Sequence, residues 1–286
     1  MRTAKNHAKI GAVAMLAVAS LLSIQTPSFA VGSAAAAALP ASVKKSGVIT
    51  VGTDTTYAPN EYLDPAGNVV GWDIDLFKAI AADLGVKVHF VSAGFDTIIP
   101  AIKGGKYDVG VSSFTDTKVR EAQVDFANYF TAGIQWASAA GKKLVDPNNA
   151  CGLTVAVQTG TTEVDDVNAK SAACTKAGKK AISVLSFDSQ AQVNNSVTLG
   201  RAAAISADSP ITEDAVHRSG GKLVLDGAIY GTAPYGFAAA KGTTMAKAIS
   251  LALQDVYKNG TYKKILAKAG VTAGAIKTFT INGALN

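Results

Sequence analysis

Cysteine and histidine are scarce: two Cys and three His in 286 residues. Cys151 and Cys174, with the scattered His7, His89 and His217, offer no zinc-ligand spacing. Aromatic residues are only 7 % of the chain, and its Lys and Arg are dispersed. No basic stripe interleaved with aromatics exists, so the formal charge of +6 does not point to nucleic acid. There is no G-x-S-x-G elbow, which would expose a nucleophilic serine, and no G-x-x-x-x-G-K-[ST] loop to cradle phosphates. Hence no catalytic residue, metal or cofactor is expected. Past residue 22 no apolar run is long enough to cross a bilayer. What is abundant is apolar side chain, 48 % against 17 % charged, which supports a sizeable core and excludes a disordered polyelectrolyte.

The first thirty residues read as a secretory signal peptide. Arg2, Lys5 and Lys9 form a basic start, residues 10–22 an apolar run, and Ser28-Phe29-Ala30 a small-residue cleavage site. The apolar run, about 13 residues, falls short of the ~20 that a membrane span needs. Cleavage near Ala30 removes three bases and no acid, so 24 bases face 21 acids and the net charge falls to +3. No Cys near that site could carry a lipid anchor. Residues 31–45, with five consecutive Ala, are expected to form a flexible mature N-terminus. In an exported chain Cys151 and Cys174 are expected to pair, which would stabilise the fold by roughly 3 kcal/mol through loop closure.

Two halves repeat one order. Strand patterns at 48–52, 86–90 and 108–112 alternate with helical patterns at 72–84 and 96–103, the second opened by Asp96. Strands at 153–157, 181–185 and 202–207 then alternate with helices at 161–176 and 188–199, the latter opened by Asp188. Phe95-Asp96 and Phe187-Asp188 fall at matching points. A helical segment at 243–270, interrupted at Asn259-Gly260, closes the chain. The β-α-β-α-β order argues for α/β lobes with mostly parallel sheets covered by helices. Lobe 1 is expected to comprise 46–138 and 239–286, lobe 2 residues 139–238, with crossovers near 136–141 and 236–241. A ligand would bind between the lobes, beyond the carboxyl ends of the strands.

Three segments could hold a zwitterion. Ser112-Ser113-Phe114-Thr115-Asp116-Thr117-Lys118-Val119-Arg120 leaves a strand with several hydroxyls and one guanidinium, a combination that suits a carboxylate or a plain helix cap beside a surface Arg. In Thr159-Gly160-Thr161-Thr162 a strand turns into a helix, whose first amides favour an anion. Asp208 ends an apolar strand, where it could receive an ammonium or cap a helix.

Together these segments resemble the extracellular amino-acid-binding proteins of ABC importers, the polar amino-acid family (solute-binding protein family 3). The resemblance rests on Val51-Gly52-Thr53-Asp54-Thr55-Thr56-Tyr57-Ala58-Pro59, Gly71-Trp72-Asp73-Ile74-Asp75-Leu76, Gly105-Lys106-Tyr107-Asp108, the run from Ser112 to Arg120, Val124-Asp125-Phe126, and residues 158–162 and 200–208. It implies the type II periplasmic-binding-protein fold, with a free polar or cationic L-amino acid held between closing lobes. Arg120 would pair with the α-carboxylate, helped by Ser112, Ser113, Thr115, Thr161 and Thr162, and Asp208 would take the α-ammonium. Tyr57 and Phe95 would sandwich the side chain, with Asp54 at its end. The resemblance further implies a monomer that delivers its ligand to an ABC permease, in the periplasm or on the outer face of the cytoplasmic membrane. Two other readings share the scaffold: a cyclohexadienyl-dehydratase-type enzyme, for which Glu61 and Glu163 are the nearby acids, and a sensor docking on a membrane receptor. The chain departs from the family at Asn60, where an aromatic is usual before Glu61, and at Ala203, where an acid is usual. The first leaves open the shape of the side-chain pocket.

Overall fold

The computed structural model describes Met1 and residues 33–285; the expected signal peptide, but for Met1, lies outside the described residues. Helices α1 (Ser33–Ala38) and α2 (Ala41–Ser46) lead into β1 (Val48–Thr53). A three-stranded meander, β2 (Thr56–Tyr57), β3 (Glu61–Leu63) and β4 (Val69–Val70), precedes α3 (Trp72–Asp83). Then come β5 (Lys87–Ser92), α4 (Phe95–Lys103), β6 (Val109–Gly110), α5 (Lys118–Glu121) and the long β7 (Val124–Ala139). The second half contains β8 (Thr154–Gln158), α6 (Thr162–Lys176), β9 (Ser183–Phe187), α7 (Gln190–Thr198), β10 (Ala204–Asp208) and α8 (Ser209–Arg218). The long β11 (Leu223–Ala240), α9 (Met245–Lys258) and α10 (Thr261–Ala269) follow. Helix α3 shows why the sequence folds this way: Asp73 and Asp75 favour its positive N-terminal end, and Ile74, Leu76, Phe77 and Ile80 are buried.

One sheet runs through both lobes in the order β5-β1-β6-β11-β7-β10-β8-β9. In lobe 1, β1 pairs in parallel with β5 and β6, and β11 closes the inner edge antiparallel to β6. In lobe 2, β8 pairs in parallel with β9 and β10, and β7 closes antiparallel to β10. The expected internal repeat is therefore realised strand for strand. The two long strands β7 and β11 pair with each other across the hinge, where the register shifts between Asp226 and Tyr230 and between Tyr230 and Ala233.

Three expectations need correction. The segment 31–45 is not a loose tail: from residue 33 it forms α1 and α2, and Ala35, Leu39 and Val43 enter the lobe 1 core, where α1 packs on α9. The lobe boundaries fall earlier than 138/139 and 238/239. Ala132 belongs to the lobe 1 core and Ile134 to that of lobe 2, while on β11 Tyr230 packs with lobe 2 and Tyr235 with lobe 1. The long strands are apolar on both sides of the hinge, which hides the point of crossing. Neither Asp96 nor Asp188 is a helix cap; Gly94 and Ser189 hold those positions. The Cys151–Cys174 disulfide is formed and ties the approach to β8 to the end of α6.

A buried polar cluster lies under the lobe 1 face of the cleft. Asn60 accepts from Trp72 Nε1 (2.6 Å) and donates to Ser113 Oγ (2.8 Å). Glu61 accepts from Ser113 Oγ (3.1 Å), and the Ser113 amide donates to Asp73 (3.3 Å). Glu61 and Asp73 face each other within hydrogen-bonding reach, both fully buried. Burial, with the neighbouring charge, pushes Glu61 well above the ordinary carboxylate range, and burial lifts Asp73 to about 7. So Asn60 and Glu61, which left the pocket shape open, stand behind the cleft wall and brace it.

Two outcomes follow from this packing. Leu39→Ala should destabilise the protein by about 2–5 kcal/mol in denaturant unfolding, the cost of a core cavity, whereas a loose tail would lose nothing measurable. The buried acids keep protons that the unfolded chain releases near pH 4, so the folded state binds more protons between about pH 4 and 7. Their contribution to stability is complete at low pH and is lost as pH rises through that window. Glu61→Gln should flatten this fall in thermal midpoints measured from pH 4.5 to 7.5.

Candidate functional site

The carboxyl ends of β1, β8 and β10 and the start of α5 meet at the interface of the lobes. From lobe 1 come Asp54 and Tyr57 after β1, Phe95 at the start of α4, and Arg120 on α5. From lobe 2 come Gln158 at the end of β8, Thr161, Thr162 and Glu163 at the start of α6, and Asp208 at the end of β10.

Four hydrogen bonds bridge the lobes here. Tyr57 Oη donates to Asp208 Oδ2 (2.8 Å), and Arg120 Nη2 donates to the Gly160 carbonyl (3.0 Å). Gln158 Nε2 donates to Asp54 Oδ2, and the Gln190 amide donates to Thr56 Oγ1 (3.1 Å). Gly160 makes this approach possible: its φ is +78°, and a Cβ there would stand 2.8 Å from that of Asp96.

Arg120 is held on both sides. Its Nη1 donates to the Thr115 carbonyl (2.7 Å), and its guanidinium lies 5.4 Å from the Phe95 ring centre and 5.8 Å from that of Phe114. Those two rings stack at 4.7 Å. Asp208 is 6 % exposed and Asp54 3 %, and burial raises the pKa of both carboxyls. Asp54 also accepts from the Thr56 amide (2.9 Å), so its turn bond and its bond across the cleft coexist. Among the described residues no ion pair involves Arg120, Asp54 or Asp208.

The ten expected ligand residues do not all face the cleft. Asp54, Tyr57, Phe95, Thr115, Arg120, Thr162 and Asp208 gather around it. Ser112 and Ser113 turn away: Ser112 Oγ accepts from the Asp54 amide (3.0 Å), while Ser113, in a left-handed conformation (φ 50°), aims its hydroxyl at Glu61. Thr161 Oγ1 donates to the Gln158 carbonyl (2.8 Å), leaving its position at the mouth of α6 as its contribution. Glu163, Gln158 and Gln190, each 1 % exposed, were not among the expected ligand residues. The only signal for Glu163 was its place directly after Thr161-Thr162.

Two cavities flank the apposed residues. One of about 370 Å³ is lined by Phe95, Phe114, Arg120, Gly160 and Thr162, the other, about 250 Å³, by Thr115, Thr162, Asp208 and Thr232. A cavity of about 610 Å³ sits at the far end of lobe 2 between Leu144, Leu153 and Val197 and touches none of these residues. Among the described residues no helix is long and apolar enough to cross a membrane.

Comparison with known proteins agrees with this architecture. The chain is 37 % identical over 248 residues to the arginine-binding protein ArgT of Corynebacterium glutamicum, covering 86 % of this chain and 82 % of that one. It superposes on an ancestral arginine-binding protein bound to arginine with TM-score 0.72 and 35 % identity, over 78 % of this chain and 97 % of the other. An ancestral amino-acid-binding protein, a precursor of cyclohexadienyl dehydratase, matches with TM-score 0.68 and 33 % identity, over 79 % and 97 %. The sequence pattern of bacterial extracellular solute-binding proteins, family 3, matches residues 49–271. With its two lobes, shared sheet and hinge-facing cleft, the chain belongs to the bacterial extracellular solute-binding proteins of family 3, exported proteins that capture solutes outside the cytoplasm.

Proposed function

We propose that this protein captures a cationic L-amino acid, arginine foremost, between its lobes and delivers it to an ABC permease without transforming it. One observation carries the reading: a half-buried Arg120 from lobe 1 and a buried Asp208 from lobe 2 meet at the cleft, and a further buried acid, Asp54, stands there with no ion pair among the described residues. A zwitterion uses the first two. Its α-carboxylate would take the Arg120 guanidinium and the first amides of α6, and its α-ammonium would take Asp208 in place of the Tyr57 hydroxyl. Asp54 then remains for a positively charged side chain lying between Tyr57 and Phe95. The arginine-binding relatives support the same ligand class.

Because the ligand would touch both lobes, it stabilises the closed arrangement over the open one, and lobe closure is the signal that the permease reads. The likeness to a dehydratase precursor and the buried Glu163 favour a second reading, an enzyme with Glu163 as general acid. Turnover of prephenate or arogenate by the purified protein would establish that reading and overturn the first.

For the transport reading, Arg120→Ala and Asp208→Ala should each weaken arginine binding by about 2–5 kcal/mol, thirtyfold or more, in titration calorimetry. Asp54→Asn should weaken arginine more than glutamine. Wild-type affinity in both alanine variants would sink the assignment.

A further inference from the structure

Glu163 is the cleft residue that the reading above leaves unused. It sits in the first turn of α6, 1 % exposed, and its carboxyl lies within hydrogen-bonding reach of Asp208. Its Oε1 has no donor, and its Oε2 receives only a long bond from Thr162 Oγ1 (3.4 Å). Arg120, the cation that faces it, favours its charged form, but burial and the Asp208 charge outweigh that. Arg120 of α5 turns both terminal nitrogens to carbonyls, those of Thr115 and Gly160. Tyr57 of the meander gives its proton to Asp208, and Tyr230 of β11 gives its own to Asp166 (2.7 Å). Tyr235 of β11 lies beside Asp208 and carries no charge. Two buried carboxyl groups thus meet with no ion pair to either among the described residues, and two adjacent carboxylates cannot both stay ionised in such a place.

We propose that Glu163 and Asp208 share one proton in the ammonium subsite, and that the arriving ammonium group of the ligand expels it to solvent. The inference rests on the amino-acid-binding reading and deepens it. In the free protein, burial and the Asp208 charge push Glu163 up to about 8, so the pair keeps its proton at neutral pH. An ammonium placed against the pair supplies the missing positive charge and favours two carboxylates. No covalent bond changes: one cation enters and one proton leaves. Binding of an already protonated ligand therefore releases a proton below about pH 8, and affinity rises with pH up to that point and is level above it. Full release of one proton corresponds to about tenfold in the dissociation constant per pH unit.

Titration calorimetry of L-arginine into the mature protein at about pH 6.5, where the ligand's amino and guanidinium groups are fully protonated, tests this in two buffers of different ionisation enthalpy. The expected result is a buffer-dependent enthalpy that reports close to one proton released, with Glu163→Gln abolishing the release and flattening the pH dependence of affinity. Saturable binding with the same enthalpy in both buffers overturns the proton-coupled pair and leaves the amino-acid reading standing. Undiminished release from folded Glu163→Gln overturns the assignment to Glu163. No saturable heat with any of the twenty amino acids overturns the amino-acid reading and the proposal with it. If Glu163→Gln fails to fold, the two-buffer comparison on the wild-type protein decides alone.

Discussion

Two antiparallel strands, β7 and β11, carry the main chain between the lobes and are also the inner strands of both half-sheets. Everything at the cleft depends on this sharing. A ladder of backbone hydrogen bonds fixes the position of β10 against β7 and of β6 against β11. The carboxyl ends of the parallel strands therefore converge on the same gap from opposite sides. The register shifts near Tyr230 and Ala233 interrupt the ladder at the point of crossing, where bending is least costly.

The cleft is built on charge held out of water. Arg120 is fixed by carbonyls and aromatic faces, Asp54 and Asp208 by neutral donors, and none by an ion pair among the described residues. Each group is oriented by its hydrogen bonds rather than by an ion pair. The polar cluster of Asn60, Glu61, Asp73, Ser112 and Ser113 lies behind the wall and, among the described residues, makes no hydrogen bond to the lobe 2 residues of the cleft.

Much of this could be read from the sequence, for physical reasons that also explain the failures. The alternation of strand and helix patterns identified both lobes because parallel strands and their covering helices leave distinct periodicities. Arg120 stood out as the one guanidinium in a hydroxyl-rich run leaving a strand, and Asp208 as the acid that ends an apolar strand. Ser112 and Ser113 could not be assigned to the wall or its backing, since a left-handed backbone at Ser113 decides which way its hydroxyl points. Glu163 stood out only as an acid near the cleft; its burial, 1 % exposed, is a tertiary property that no local pattern records. The five alanines of residues 34–38 looked featureless because a poly-Ala helix has no amphipathic period, yet Ala35 is wholly buried.

Lobe 2 is one uninterrupted stretch of chain, whereas lobe 1 is assembled from both chain ends. Helix α1 lies on α9, and the last residues return to the beginning of β7: Asn282 accepts from the Phe126 amide, and the Gly283 amide donates to Asp116 and Asn128. A chain that leaves the cell N-terminus first thus delivers lobe 2 whole while the last third of lobe 1 is still arriving. The disulfide, internal to that early block, can form before secretion is complete. Arg120 comes from the first lobe and Asp208 from the second, so the site is complete only when both lobes are in place.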